Sequence, residues 1–296
     1  MTLTLTSRFS LTGMTTVTVL GLGPMGHALA AAFAAHHPTT VWNRTRSKGA
    51  DLDATIADTA ADAIAASPLV IVCLPDYEVA QSVLDADALR GRTLVNFCGG
   101  SPSQARAMAA WAERYGIGYL DGVIMSTPEA IGTAEAALYY SGSRETYAAH
   151  RITLSALGEN ANYLGAEPGR AAAFDLSLQD MLWTSMAGVV HMFAYAAAED
   201  IAAGELAEHA KGLLGFFPDM IDMLAEQVAA GRFPGDTGTL TAIGAIMDRI
   251  SEAVRAKGLD DSVLGAVRAQ MRRAIDVGYG TDGFGRLAAL EQSTVA

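Results

Sequence analysis

The sequence predicts an α/β chain in three parts: an N-terminal half of alternating strands and helices, one long helix, and an all-helical C-terminal half. Three observations predict it. Short β-branched or apolar runs, each ended by a glycine or proline turn and followed by a helical stretch, recur from residue 15 to residue 165. Residues 170–200, RAAAFDLSLQDMLWTSMAGVVHMFAYAAAED, contain one glycine, Gly188, and no proline. Ala, Leu, Met and Gln dominate there, and they lose little freedom in a helix. From residue 201 onward the apolar spacing is helical.

At 296 residues the chain has room for about two domains, and half of its residues are hydrophobic. Its formal net charge is −12 and its pI about 4.8. That balance argues against nucleic acid or an anionic membrane as a partner, because no basic stripe is available to displace counterions. Cys73 and Cys98 form no disulfide framework, so a reduced, cytoplasmic setting is expected. Residues 1–13 (MTLTLTSRFSLTG) lack the apolar run of a signal peptide and are expected to be a poorly ordered extension, with Met14 an alternative start to Met1.

The first strand is expected at 15–20 (TTVTVL). It runs into Gly21-Leu22-Gly23-Pro24-Met25-Gly26, a G-x-G-x-x-G that opens a small-residue helix. In that strand–turn–helix context the motif marks a Rossmann domain. The first glycine makes the tight turn, the second lets backbone approach a pyrophosphate, and the third lets helix and strand pack closely. A second strand at 39–42 ends in Asn43-Arg44-Thr45-Arg46-Ser47-Lys48. An NAD site usually places an acid here for the ribose 2′-hydroxyl. This chain has no acid until Asp51, and three cations in five residues, so NADP(H) is expected, with Asn43, Arg44, Thr45 and Lys48 around the 2′-phosphate. Strands follow at 69–74, 93–97, 118–125, 138–141 and 160–164, with helices at 58–66, after Pro75, after Ser101 and at 143–157. Ligands in open α/β sheets bind at the carboxyl ends of strands, which adds Cys73, Leu74, Pro75, Asn96 and Cys98 to the cofactor candidates. The small-residue role of Cys98 outweighs a redox one. The parallel sheet is expected to close near residue 165. The expected domains are 14–168 for the NADP-binding domain, 169–200 for the interdomain helix and 201–296 for the helical substrate and dimerisation domain. The last holds helices at 205–214, 218–231, 240–257 and 262–278.

The long helix is apolar around nearly its whole girth, so it is expected to be buried on all sides. Asp175, Gln179, Asp180 and His191 interrupt it, which argues against a membrane span. At 100° per residue Asp175, Gln179, Leu182, Trp183 and Met186 share one broad face. A carboxylate on such a face needs a partner, and one near a cofactor strand end is a candidate for chemistry. Asp180 lies roughly 140° round from Asp175 and His191 roughly 160°, so both are read as structural. No spacing suggests a metal site, and no hydrolase-type serine is present.

The stretches VTVLGLGPMG, VWNRTRSK, LVNFCGGSPSQAR, DGVIMSTPEAIGTAEAALYYSGS, YLGAEPGRAAAFDLSLQDMLW, GRFPGDTGTL and YGTDGFGRL span residues 17–287. In that order they resemble the imine reductases and reductive aminases, relatives of the β-hydroxyacid dehydrogenases and of 6-phosphogluconate dehydrogenase. The resemblance implies an α/β N-terminal Rossmann domain, a long interdomain helix and an all-helical C-terminal domain. It implies NADPH-dependent reduction of imines or iminium ions to amines by hydride transfer, on a small imine or on a ketone plus an amine. It also implies a homodimer that exchanges the long helix, so that each cleft uses both chains. Asp175 is then the catalytic residue, and Met125, Ser126, Gln179, Leu182, Trp183 and Met186 line the substrate pocket. The hydroxyacid dehydrogenases carry a lysine where this chain has Asp175. An ammonium suits a carbonyl oxygen that gains negative charge, whereas a carboxylate suits a cationic iminium. Imine reductases often place Tyr or Asp where this chain has Trp183, an N–H donor with no useful acid pKa. The alternatives are a 3-hydroxyacid dehydrogenase-like enzyme and a catalytically silent NADPH-binding protein.

Overall fold

The structure is a computed structural model that describes residues 15–293. The expectations for residues 1–13 and for Met14 lie outside the described residues. By internal contacts the chain divides between Asp180 and Met181 into two compact units. The sequence-matched helix, α7 (Arg170–Ala198, 29 residues), runs through that division.

The first unit is built on one eight-stranded sheet in the order β3-β2-β1-β4-β5-β6-β7-β8. Its strands are β1 (Val17–Leu20), β2 (Thr39–Trp42), β3 (Thr55–Ile56), β4 (Leu69–Val72), β5 (Thr93–Asn96), β6 (Gly118–Ile124), β7 (Ala137–Gly142) and β8 (Asn160–Gly165). Strands β1, β4 and β5 are buried at every position, as expected of a parallel sheet covered on both faces. Alternate residues divide between two cores. Val17, Val19, Leu69 and Ile71 pack with Leu29 and Phe33 of α1 (Pro24–Ala34). Leu20, Val70, Val72 and Leu94 pack on the other face. There they meet α2 (Ala60–Ala65), α3 (Tyr77–Val83), α4 (Ala86–Leu89) and α5 (Pro102–Arg114) through Ile64, Tyr77, Leu89 and Met108. Helix α6 (Arg144–Leu154) leads from β7 to β8.

Two expectations about the sheet need correction. It is mixed, because β7 pairs antiparallel with β6 while β8 pairs parallel with β7. The link from Ile124 to Ala137 holds one short 3₁₀ turn, too little for a crossover back to the same edge. A further edge strand, β3, pairs with β2.

The second unit contains the rest of α7 and α8 (Ala203–Leu214), α9 (Phe217–Ala230), α10 (Leu240–Ala256), α11 (Ser262–Ala274) and α12 (Arg286–Ser293). After α11 the chain passes through a π-helical turn, Ile275–Tyr279, where Gly278 takes φ 100°. Its fully buried hydrophobic residues, among those described, are few: Ala196, Phe233, Leu240, Val254, Met271 and Ala274.

The expected burial of α7 on all sides does not hold in the single chain. Trp183 is 65% exposed, Val190 64%, Leu182 46% and Met186 44%. By length and a mean hydropathy of 1.2 the helix could cross a membrane, but Asp175, Gln179 and Asp180 break the apolar surface. Asp175 is half-buried rather than buried, since only the first turn of the helix, at Ala171 and Ala172, is enclosed by the first unit.

Candidate active site

The sheet order reverses between β1 and β4, and the crevice above their carboxyl ends is where an open α/β sheet takes its ligand. Gly21 follows β1 with φ 97°, and a Cβ there would sit 2.2 Å from the Cys73 carbonyl oxygen. A Cβ on Gly26 would sit 2.1 Å from the Gly21 carbonyl, so only glycine lets α1 start this close to the strand. Gly23 differs: a Cβ would meet no protein atom within 4 Å, which leaves space above the backbone for a ligand. Gly23 is also the N-cap of α1 and supplies no side-chain cap, so the first-turn amides face that space with the positive end of the helix dipole.

Asn43 serves the loop itself. Its Oδ1 accepts the Leu22 N–H at 3.0 Å, and its Nδ2 donates to the Thr45 carbonyl at 3.0 Å, tying the glycine turn to the basic turn after β2. Arg46 is turned away toward Asp58, at 2.6 Å. Arg44, Thr45 and Lys48 are exposed, and neither Arg44 nor Lys48 makes an ion pair among the described residues. They fit a 2′-phosphate: one fork and one ammonium, with no carboxylate in their own turn. Arg44→Ala is expected to weaken NADPH binding roughly ten- to a hundredfold and NADH binding far less, because only NADPH has a phosphate to lose. Titration with both cofactors checks this, and equal losses would make Arg44 a residue of the fold.

A cavity of about 240 Å³ lies at the ends of β4, β5 and β6. It brings together Met25, Cys73, Cys98, Asp175 and Gln179 from the sequence candidates, with Phe97, Val123, Ile124 and Ala172 as apolar wall. Gln179 Nε2 donates to Asp175 Oδ1 at 3.0 Å, one turn along α7, which fixes the carboxylate's orientation. Burial pushes the Cys73 thiol up to about 11 and the Cys98 thiol up to about 12, so both stay protonated and unreactive at neutral pH.

Other candidates fall elsewhere. Asn96 is fully buried and its Oδ1 accepts the Cys98 N–H at 3.4 Å, which braces the strand end. Met125 and Ser126 do not line the cavity, and Ser126 Oγ accepts the Ala137 N–H at 2.7 Å to close the turn before β7. Leu182, Trp183 and Met186 belong to the second unit, where Trp183, Met186, Val190 and His191 border a separate apolar hollow of about 570 Å³. Among the described residues no group of three or more His, Cys, Asp or Glu side chains is placed to hold a metal ion.

Several residues of the cavity were not among the sequence candidates. Asp121, Tyr77 and Gly100 also line the cavity, and Tyr119 stands behind them. The signal for Asp121 was present: a lone acid inside the apolar strand YLDGVI.

A glycine-turn crevice at the switch point, a basic turn after β2 and a cavity bordered by the carboxyl groups of Asp121 and Asp175 define a dinucleotide-dependent oxidoreductase. Residues 16–165 match the NAD binding domain of 6-phosphogluconate dehydrogenase, and residues 167–292 match the C-terminal domain of the NADPH-dependent reductive aminase-like proteins. An NADPH-dependent reductive aminase of Aspergillus oryzae is 31% identical over 278 residues, 88% of this chain and 92% of that protein. Among solved structures, the imine reductase from Myxococcus stipitatus in complex with NADP⁺ is similar, with a TM-score of 0.87 at 34% identity over 93% of this chain and 99% of that one. The reductive aminase from Aspergillus terreus in complex with NADPH and ethyl levulinate has a TM-score of 0.86 at 33% identity, over 94% and 99%. The chain belongs to the imine reductase and reductive aminase family. It is an NADPH-dependent oxidoreductase that acts on C=N bonds.

Proposed function

We propose that the cavity at the ends of β4, β5 and β6 takes a small iminium ion and that Asp175 is the group that stabilises its charge. The observation that carries this is the half-buried Asp175 carboxylate, held by Gln179 at a strand end shared with Met25, Cys73 and Cys98. NADPH, when bound, supplies the hydride. The protein's part is to hold the acceptor carbon in place and to favour the cation that makes it electrophilic. The apolar wall of Phe97, Val123, Ile124 and Ala172 excludes water, which strengthens the ion pair between Asp175 and the iminium nitrogen. An ammonium at the same place would repel that substrate, which sets this chemistry apart from hydroxyacid oxidation.

The substrate class is a cyclic imine, or a ketone plus an amine that condense to one. The Aspergillus terreus enzyme, solved in complex with NADPH4, cyclohexanone and allyl amine, supports the second form. Leu182, Trp183 and Met186 follow Asp175 along one face of α7, and the likeness to the reductive aminases supports a part for them in substrate binding, with the Trp183 ring face and N–H as the main features. Trp183→Phe is therefore expected to keep most activity, while Trp183→Tyr and Trp183→Asp change rate and product handedness together. Turnover and enantiomeric excess for the three variants test this. Loss of activity in Trp183→Phe with NADPH affinity intact would assign a role to the indole N–H.

The protein is further proposed to act as a cytoplasmic homodimer that exchanges α7 between protomers. The exposed apolar girth of α7 and the few buried hydrophobic residues of the second unit support the dimer. Its two free cysteines and its acidic charge support the location.

A further inference from the structure

A second carboxyl group borders the cavity and has no part in the mechanism above. Asp121, on β6, is 1% exposed and lines the same hollow as Asp175. Both of its side-chain hydrogen bonds fall on one oxygen. Tyr77, in the first turn of α3, donates its hydroxyl to Asp121 Oδ1 at 2.6 Å, and Tyr119, two residues back on β6, donates to the same oxygen at 3.3 Å. The other oxygen, Oδ2, is buried with no hydrogen-bond partner. A buried carboxylate with one bare oxygen is an expensive arrangement, and a proton on that oxygen relieves it.

The surrounding elements act on Asp121 in opposite directions. From α7, the Ala172 amide favours the ionised form without closing a hydrogen bond on Oδ2, while the charge of Asp175 opposes it. From β5, the neighbouring polar group is the neutral Asn96, fully buried, with its Nδ2 also unpartnered. From β7, Ser141 stands opposite Asp121 in register, and its hydroxyl is engaged by the Pro168 carbonyl and the Ala171 N–H. The neighbouring pair Asp121 and Ser141 thus meets the first turn of α7, one turn before Asp175. Burial outweighs the tyrosine and amide contacts and raises the Asp121 carboxyl to about 6.

We propose that Asp121 is a positioning residue for imine reduction: it seats the first turn of the helix that carries Asp175, and its ionisation sets whether the cleft presents one negative charge or two to a cationic substrate. This rests on the reading of Asp175 as the group that holds the cation. At low pH Asp121 is a neutral acid and Asp175 acts alone. As pH rises the Asp121 O–H gives its proton to solvent, and the carboxylate left behind is held by Tyr77 and Tyr119. Its field reaches a cation in the cavity through protein rather than through water, where it is several times stronger. The bound cation feels that field more than the transition state does, because arriving hydride has begun to cancel the charge. KM therefore responds more than kcat.

The test uses the full chain with saturating NADPH and N-methyl-3,4-dihydroisoquinolinium, a cyclic iminium of permanent charge, so that substrate ionisation drops out of the profile. For the parent, KM is expected to fall roughly tenfold between pH 5 and pH 8, with a midpoint near 6 and a smaller change in kcat. Asp121→Asn should flatten that profile. Tyr77→Phe removes one donor to the carboxylate and should move the midpoint to higher pH, which keeps the test valid if Asp121→Asn folds poorly. Asp175→Asn should lower kcat/KM throughout and move the midpoint to lower pH. Infrared difference spectra between pH 5 and pH 8 should show a carboxylic acid band in the parent that is missing in Asp121→Asn. A purely structural Asp121 would change stability and leave the profile alone. The proposal is overturned by a flat parent profile, by a midpoint that survives in Asp121→Asn, or by one that Tyr77→Phe does not move. An Asp175→Asn variant as active as the parent, with the midpoint retained, would remove the Asp175 reading instead.

Discussion

Asp175→Asn is expected to lower kcat/KM for a preformed cyclic imine by roughly 10²–10³, the usual size of one electrostatic contact made in a transition state. The substitution keeps the size of the side chain and its hydrogen bond with Gln179, which now meets an amide oxygen rather than a carboxylate. What it removes is the negative charge inside a cavity walled by Phe97, Val123 and Ile124. NADPH affinity should hardly change, because the glycine turn and Arg44 lie on other elements, at the ends of β1 and β2. Steady-state kinetics with parallel cofactor titration measure both quantities. Turnover equal to the parent's would make Asp175 a structural acid.

Dilution is expected to leave no folded monomer. The second unit buries few hydrophobic side chains fully, while Leu182, Trp183, Met186, Val190, Leu213 and Phe216 stand exposed. Folded domains of its size bury a far larger share of their apolar surface, and net stability is only about 5–15 kcal/mol. In the proposed dimer a second copy would cover α7 and supply what is missing, and stability would then depend on protein concentration. Sedimentation should therefore show one dimeric species, and thermal unfolding should shift upward with concentration. A monodisperse, folded monomer at low concentration would contradict the exchanged helix.

Most of the fold was legible because its signals are local. The turn at Gly21 needs φ 97°, and the α1 start needs a missing Cβ at Gly26, so three glycines in six residues announce both. The β2 boundaries and the length of α7 follow in the same way from β-branched runs and from the absence of breakers. The direction of β7 was not read, although the short link from Ile124 to Ala137, without a helix, carried the information. The girth of α7 is exposed in the single chain because an apolar pattern states that a surface favours cover, without stating what covers it. The candidate site divided similarly. Asp175 and Gln179 are neighbours on one helix and could be paired by spacing. Asp121 gains its meaning from Tyr77, 44 residues away, and from the start of α7, and no local pattern joins those three.

The most direct measurement of the central claim is NADPH oxidation by the intact protein with a cyclic imine such as a pyrroline, set beside NADP⁺ reduction with 3-hydroxy acids. Steady turnover of the imine to the amine is expected, with NADPH preferred over NADH, and no appreciable oxidation of the hydroxy acids. Hydroxy acid oxidation without imine turnover would contradict it, and so would tight NADPH binding with neither reaction.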